Sequence, residues 1–199
     1  MEIDLAGAQY FPDFLDRAAQ VALVADLRDI VRAAPMSRYD TAGGGKMSVA
    51  MTSAGALGWV SDAAGYRYDP VHPTGAAWPG IPESLSKIWA EVAPDARAPD
   101  SCLVNFYGED AKMGLHRDDT ERDFDQPVVS VSLGDEGLFR IGGLTRGGRV
   151  RSVWLRSGDV VVLSGPSRLA YHGVDRIKAG SSTLLDKPGR INVTLRVAR

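Results

Sequence analysis

The stretch Arg190-Ile191-Asn192-Val193-Thr194-Leu195-Arg196-Val197, close to the end of a 199-residue chain, decides how the rest is read. Apolar and polar residues alternate with period two. As a strand it places Ile191, Val193, Leu195 and Val197 on one face and Arg190, Asn192, Thr194 and Arg196 on the other. Two arginines on one strand face suit a small dianion gripped at both ends better than a single carboxylate. Burying a guanidinium without a partner is costly, because leaving one member of a buried ion pair alone costs about 3–5 kcal/mol. The anions must come either from a ligand or from the protein, where Asp159 or Asp186 could serve.

Upstream of this strand lie His116-Arg117-Asp118 and an isolated His172. In an extended backbone residues i and i+2 share a face, so His116 and Asp118 can point the same way. A histidine from a distant strand would complete a two-histidine, one-carboxylate triad, the set that leaves open positions on Fe(II). His172 is the natural partner, because the remaining histidine, His72, sits in the Pro-rich loop Asp69-Pro70-Val71-His72-Pro73. A lone His-x-Asp is weak evidence, and a lone histidine beside Tyr171 is more often structural. The order is more specific: His-x-Asp, a gap of 54 residues to His172, then arginines near the end. Asn105 and Tyr107 alternate onto one face of a further strand and could add neutral hydrogen bonds to the same anion.

Working outward, the length fits one domain able to bury about 70% of its unfolded surface. A single cysteine, Cys102, excludes an intramolecular disulfide and fits a reducing cytosol. The acidic start Met1-Glu2-Ile3-Asp4 lacks a leader pattern, and no apolar run approaches membrane-spanning length. A monomeric cytoplasmic protein with no membrane partner is the expectation. A net charge of −2 and a pI near 5.9 exclude a general basic coat for nucleic acid. Locally, however, five arginines (Arg140, Arg146, Arg149, Arg151, Arg156) occur with no Asp or Glu among them. They form either a solvated hairpin or a phosphate-contacting strip.

Helical periodicity covers residues 14–34 and 82–93. Short strands are expected at 102–107, 127–133, 137–141, 150–156, 158–163 and 190–197, separated by glycines. Many short strands after a helical N-terminal part give an α+β, mainly β class: an antiparallel barrel or two-sheet jelly roll with helices outside. Residues 41–80 are unusual. Gly43, Gly44 and Gly45 precede an apolar stretch, and Gly55, Gly58 and Gly65 punctuate Trp59, Tyr66 and Tyr68. Either a flap carrying exposed aromatics or an ordinary hairpin with buried rings fits.

The segments Asn105-Phe106-Tyr107, His116-Arg117-Asp118, Ser130-Val131-Ser132-Leu133-Gly134, Gly142-Gly143-Leu144, Ser157-Gly158-Asp159-Val160, Arg168-Leu169-Ala170-Tyr171-His172-Gly173 and Arg190 to Arg196 together resemble the AlkB family. Met47-Ser48-Val49-Ala50-Met51-Thr52 and Leu57-Gly58-Trp59 resemble that family's nucleotide-recognition lid. The family comprises Fe(II)- and 2-oxoglutarate-dependent dioxygenases that remove alkyl groups from nucleobases. The resemblance implies a double-stranded β-helix forming one domain over residues 1–199, with a lid at about 40–80 and a catalytic core at about 100–199. It implies iron held by His116, Asp118 and His172, with O2 as cosubstrate. It implies 2-oxoglutarate held by Arg190 and Arg196, with help from Asn105, Tyr107 and Asn192. Met51, Trp59, Tyr66, Thr120 and Arg146 fall at substrate-contacting positions.

Thr120 is a departure, since many bacterial members carry there an acidic residue that reads the base. Asp119 next to it would face away if that segment were a strand. The expected reaction is oxidative dealkylation of 1-methyladenine or 3-methylcytosine lesions in single-stranded DNA or in RNA. It would release formaldehyde, succinate and CO2. Two alternatives stand beside it. One is a hydroxylase of the same cofactor class acting on RNA, protein or a small molecule; the other is a catalytically silent nucleic-acid-binding module.

Overall fold

In the computed structural model, which describes residues 2–40, 45–62 and 65–199, Arg190–Arg196 (β13) lies inside a seven-stranded antiparallel sheet. Two short strands, β1 (Ile3–Leu5) and β2 (Ala8–Phe11), come before helix α1 (Arg17–Ala33). Next follow β3 (Ala50–Gly55), β4 (Gly58–Asp62), β5 (Gly65–Asp69) and helix α2 (Glu83–Val92). The remainder is strand: β6 (Ser101–Tyr107), β7 (Met113–His116), β8 (Val128–Gly134), β9 (Glu136–Ile141), β10 (Arg151–Leu155), β11 (Val160–Leu163) and β12 (His172–Lys178), then β13. The large sheet runs β1-β2-β11-β8-β13-β6-β3; a smaller one runs β10-β9-β12-β7. The fold is the two-sheet jelly roll with both helices outside, with one correction: the N-terminal part is not only helical, because β1 and β2 extend the large sheet.

Alternation in the sequence becomes two different surfaces. Ile191, Val193 and Leu195 join Cys102, Val104, Val129, Val131 and Leu133 in a core cluster against α1 and α2. Each such aliphatic side chain contributes about 1.5–3 kcal/mol on burial, so a one-residue slip of β13 is strongly disfavoured. The opposite face of the same strands meets the small sheet, where a cavity of about 70 Å³ is lined by Asn105, Tyr107, Arg190, Asn192, Thr194 and Arg196. In register, Asn192 lies opposite Asn105 on one side and Ser132 on the other, and Arg190 lies opposite Tyr107.

Both helices end where the sequence forces them to. Asp16 caps α1, its carboxylate accepting from Ala19 N at 2.8 Å. Leu23, Val24, Leu27 and Ile30 form the buried stripe. Ala34 and Ala93 leave the helical region because each precedes a proline, which clashes with an α-helical predecessor. The helices are thus shorter than the periodic stretches 14–34 and 82–93.

Strands Gly58–Asp62 and Gly65–Asp69 pair with each other, antiparallel, and with neither sheet. Val60 is buried, Trp59 is half-buried and Tyr66 is 48% exposed, so the hairpin is neither a fully exposed flap nor a core element. Gly43 and Gly44 lie outside the described residues.

Candidate metal centre and cosubstrate site

His172 opens β12 directly opposite His116, the last residue of β7, in antiparallel register. Gly173 permits this approach, since a Cβ there would fall 2.5 Å from Met113 O and 2.7 Å from Gly114 O. The imidazole centroids are 4.6 Å apart. Asp118 lies two residues past the end of β7, in a loop rather than on an extended strand, so the shared-face argument does not place it. Arg168 and Arg196 do. The Arg168 guanidinium donates to Asp118 O at 2.8 Å, and Arg196 donates to Asp118 Oδ2 at 2.8 Å.

The three side chains offer ligand atoms all within 4.8 Å of one another, among the described residues the one group able to hold a metal. His116 Nδ1 and His172 Nδ1 each lie 2.9 Å from a backbone carbonyl, of Gly114 and Ala170. A carbonyl only accepts, so both Nδ1 atoms donate and both Nε2 atoms are left to act as ligand atoms. The two Nε2 atoms face Asp118 Oδ1 and Oδ2, each at 3.8 Å, beyond hydrogen-bond distance. Burial pulls the His172 imidazole down to about 4, against the attraction of Asp118, so it is neutral near pH 7. Burial alone would raise the Asp118 carboxyl, but Arg196 foremost holds it well below the usual carboxylate range. Two imidazoles whose Nε2 atoms turn toward one carboxylate fit a divalent metal of the Fe(II) type. His72 is no ligand: it is buried, contacts Thr74 Oγ1 and Pro35 O, and packs edge-on against Trp78.

The two arginines are not equivalent. Six residues separate them, roughly 20 Å along an extended strand, too far for matching grips on one small dianion from their Cα positions. Arg196 is already met by the chain's own acids, Asp118 and Glu121, the latter at 3.2 Å from its Nε. Neither acid is one the sequence suggested: Asp186 pairs with Arg28, and Asp159 accepts from Tyr10 and two backbone amides. Arg190 has no carboxylate partner among the described residues. Its guanidinium donates to Ser132 Oγ at 2.7 Å and, more weakly, to the carbonyls of Asp135 and Leu155, while its buried Nε has no partner. Burial lowers this guanidinium to about 10. Gly137 makes room for it, since a Cβ there would sit 2.7 Å from Arg190 Nε. Beside it, burial pushes the Tyr107 phenol up to about 12, keeping it a neutral donor. Asn105 Nδ2 donates to Asn192 Oδ1 at 3.3 Å, leaving Asn105 Oδ1 buried and unpartnered.

A model of the 2OG-Fe(II) oxygenase superfamily matches residues 7–196. The chain belongs to this superfamily. It is 53% identical over 194 residues to an alpha-ketoglutarate-dependent dioxygenase AlkB homolog of Caulobacter vibrioides, covering 97% of this chain and 88% of that one. It is 42% identical over 199 residues to the Escherichia coli alpha-ketoglutarate-dependent dioxygenase AlkB, covering 97% and 91%. Within the superfamily it is therefore an AlkB-type dioxygenase. The solved structure of OsALKBH1 superposes with a TM-score of 0.85 at 32% identity, covering 98% of this chain and 99% of that one.

In this AlkB-type chain a second cavity of about 200 Å³ adjoins the triad, lined by Met51, Trp59, Tyr66, His116, Asp118 and Thr120 among others. Trp59 and Tyr66 stack on each other at 5.3 Å with planes 23° apart. Asp119 lines the same cavity as Thr120. Residues 117–120 are not strand, so the alternation that would have turned Asp119 away does not apply. Its carboxylate is held by Arg117 at 2.7 Å. Arg146 lies outside this lining, its guanidinium 5.1 Å above the Tyr171 ring.

Sequence reasoning missed the groups that hold the site in place. Glu121 is buried, takes a hydrogen bond from Tyr68 on β5, and lies 3.3 Å from Arg168 and 3.2 Å from Arg196. This chain of contacts ties the β4–β5 hairpin to the carboxylate of the triad. Its only signal in the sequence is the position of Glu121, three residues after Asp118.

Proposed function

We propose that this enzyme oxidatively dealkylates N-alkylated nucleobases of the 1-methyladenine and 3-methylcytosine type in DNA, with single-stranded DNA favoured and RNA also accessible. The observation that carries the reading is one alignment of features. Two imidazole Nε2 atoms and a carboxylate converge between a buried guanidinium that lacks an anion and a cavity walled by paired aromatic rings. Bound Fe(II), 2-oxoglutarate and O2 would supply the oxidising power that hydroxylates an alkyl C–H bond, with succinate and CO2 as co-products. The hydroxylated alkyl group then leaves the base nitrogen as formaldehyde.

The chain's own residues bind, orient and shield. His116, Asp118 and His172 hold the metal, and Arg196 fixes the carboxylate while tempering its charge. Arg190 takes the far carboxylate of 2-oxoglutarate, with Tyr107, Asn105 and Asn192 as neutral partners along the same wall. Trp59 and Tyr66 cover the target base, Met51 forms part of the cavity wall, and Thr120 with Asp119 faces the base edge. Arg146 meets the backbone phosphates. A base must leave its stack to enter, at a cost of a few kcal/mol that is least for lesions unable to pair. Stacking on Trp59, about 1–3 kcal/mol, offsets that. The chain acts as one catalytic unit over residues 1–199, with 40–80 as lid and about 100–199 as core. It works as a cytoplasmic monomer, a reading that the buried lone Cys102 supports.

The test is anaerobic titration with Fe(II) and 2-oxoglutarate, followed by oxygen and methylated oligonucleotides. The expected result is a visible charge-transfer band, then succinate and formaldehyde in equal amounts. Succinate without demethylation would favour a different substrate. No band would remove the metal assignment. His172→Ala is expected to lose both band and turnover, whereas Trp59→Ala keeps the band and weakens oligonucleotide binding.

A further inference from the structure

Arg190 stands at the end of the jelly roll where the chain passes between its two sheets. Asp135 is the single residue between β8 of the large sheet and β9 of the small one. Residues 179–189 make the return crossing, from β12 to β13, and end on Arg190. The two crossings touch closely. A Cβ on Gly134, which has φ +81°, would fall 2.5 Å from Gly189 O, and that carbonyl accepts from Asp135 N at 2.8 Å.

The Asp135 side chain is 1% exposed, and its carboxylate pairs with no Lys or Arg among the described residues. All its partners belong to the other crossing. Oδ2 accepts from Gly180 N at 3.1 Å and from Gly189 N at 2.8 Å. Oδ1 accepts from Ser182 N at 2.9 Å and, more weakly, from Ser181 Oγ at 3.5 Å. Residues 179–189 are neither helix nor strand, so no ladder satisfies these amides and the carboxylate does. A staple for a loop would need nothing more. Two contacts go further, because the Asp135 carbonyl accepts from Arg190 Nη1 at 3.4 Å and Gly189, held by Oδ2, immediately precedes Arg190. One residue thus touches the guanidinium and also fixes the backbone at the root of the same side chain. Asp135 lines neither the cosubstrate cavity nor the cavity beside the triad, so whatever it does there passes through Arg190.

We propose that Asp135 is a positioning residue for the cosubstrate. By clamping 180–189 to the corner between β8 and β9, it holds Arg190 at the depth where the guanidinium meets the far carboxylate. It thereby sets the preference for a 2-oxo dicarboxylic acid over a 2-oxo monocarboxylic one. The inference rests on the reading that Arg190 takes the far carboxylate of 2-oxoglutarate.

The experiment compares 2-oxoglutarate with 2-oxopentanoate, which has the same carbon chain but no far carboxylate, on the anaerobic Fe(II) enzyme. The wild-type enzyme is expected to bind the diacid more tightly. Asp135→Asn keeps the shape of the side chain but brings an NH2 group among the N–H donors that the carboxylate accepts from. The KM for 2-oxoglutarate is expected to rise about tenfold, the effect of one lost charge-assisted hydrogen bond. kcat at saturating cosubstrate and the affinities for 2-oxopentanoate and methylated oligonucleotide stay at wild-type values, which a general loosening of the fold would not allow. A second measurement needs no variant: amide hydrogen exchange across 180–189 in the wild-type enzyme should slow more with 2-oxoglutarate than with 2-oxopentanoate. Equal weakening of both acids in Asp135→Asn, an unchanged KM for 2-oxoglutarate, or exchange that responds alike to both acids would overturn the proposal. A wild-type enzyme that binds the two acids equally would instead remove the role given to Arg190, and that of Asp135 with it.

Discussion

At Arg190 a positive charge is held by a hydroxyl and two carbonyls with no carboxylate in reach among the described residues. That makes Gly137 more than a spacer. Gly137→Ala puts a methyl group 2.7 Å from Arg190 Nε, where the guanidinium must shift. The expected outcome is about tenfold weaker 2-oxoglutarate binding, since a charge-assisted hydrogen bond is worth about 1.5–3 kcal/mol. Calorimetric titration of the wild-type and variant enzymes checks it. His172 gives a pH prediction. Its folded value near 4 lies below the ordinary 6.5, so the folded chain binds fewer protons than the unfolded one between those values. Stability of the metal-free protein therefore falls as pH drops from 6.5 toward 4. Asp118, held low by Arg196, adds its loss only below the ordinary carboxylate value. Urea midpoints across this range should slope for the wild type and flatten in His172→Gln.

Among the elements, the β4–β5 hairpin depends on a contact outside its own pairing. Tyr68 donates to Glu121, which also faces Arg168 and Arg196. Tyr68→Phe removes that donor while keeping the ring. The variant should lose about 1.5–3 kcal/mol of stability, as expected for a buried hydrogen bond to a charged group. It should also bind methylated oligonucleotides less tightly, because Trp59 lies directly opposite Tyr68 in the hairpin. Chemical denaturation and anisotropy together test this; a stability loss with unchanged oligonucleotide affinity would uncouple the hairpin from the network. Strands β6, β8 and β13 were legible at this scale because each buries alternate residues against the helices. β7 and β12, which carry the two histidines, were not. Met113-Gly114-Leu115-His116 and His172-Gly173-Val174-Asp175 alternate poorly, and they are strands only because they pair with each other and because β12 also pairs with β9.

On the scale of the whole molecule, Cys102 reports on cooperativity. It is fully buried in the cluster between the large sheet and the helices, and burial pushes its thiol up to about 12. It should not react with a disulfide reagent at about pH 8 in the native state and should react fully in denaturant. Its slow native-state reaction rate, followed against urea, should track global unfolding. Rapid labelling without denaturant would show that the helical layer opens on its own. Jelly-roll topology explains why the site depends on the complete fold. Its triad comes from the small sheet and the loop after β7, while Arg190 and Arg196 come from the large sheet.

The sequence by itself determined the strand alternation of β13, the polar face it presents, the identity of three candidate ligands and the helices with their proline-bounded ends. These depend on periods of 2 and 3.6 and on local backbone rules, which operate over a few residues. Tertiary structure alone decided that Arg196 is matched by Asp118 and Glu121 while Arg190 is not, that Asp119 shares a cavity with Thr120, and that Glu121 and Tyr68 link hairpin to triad. Pairing between groups 53 to 78 residues apart depends on distances of a few ångströms set by sheet packing. No local pattern in the chain encodes those distances.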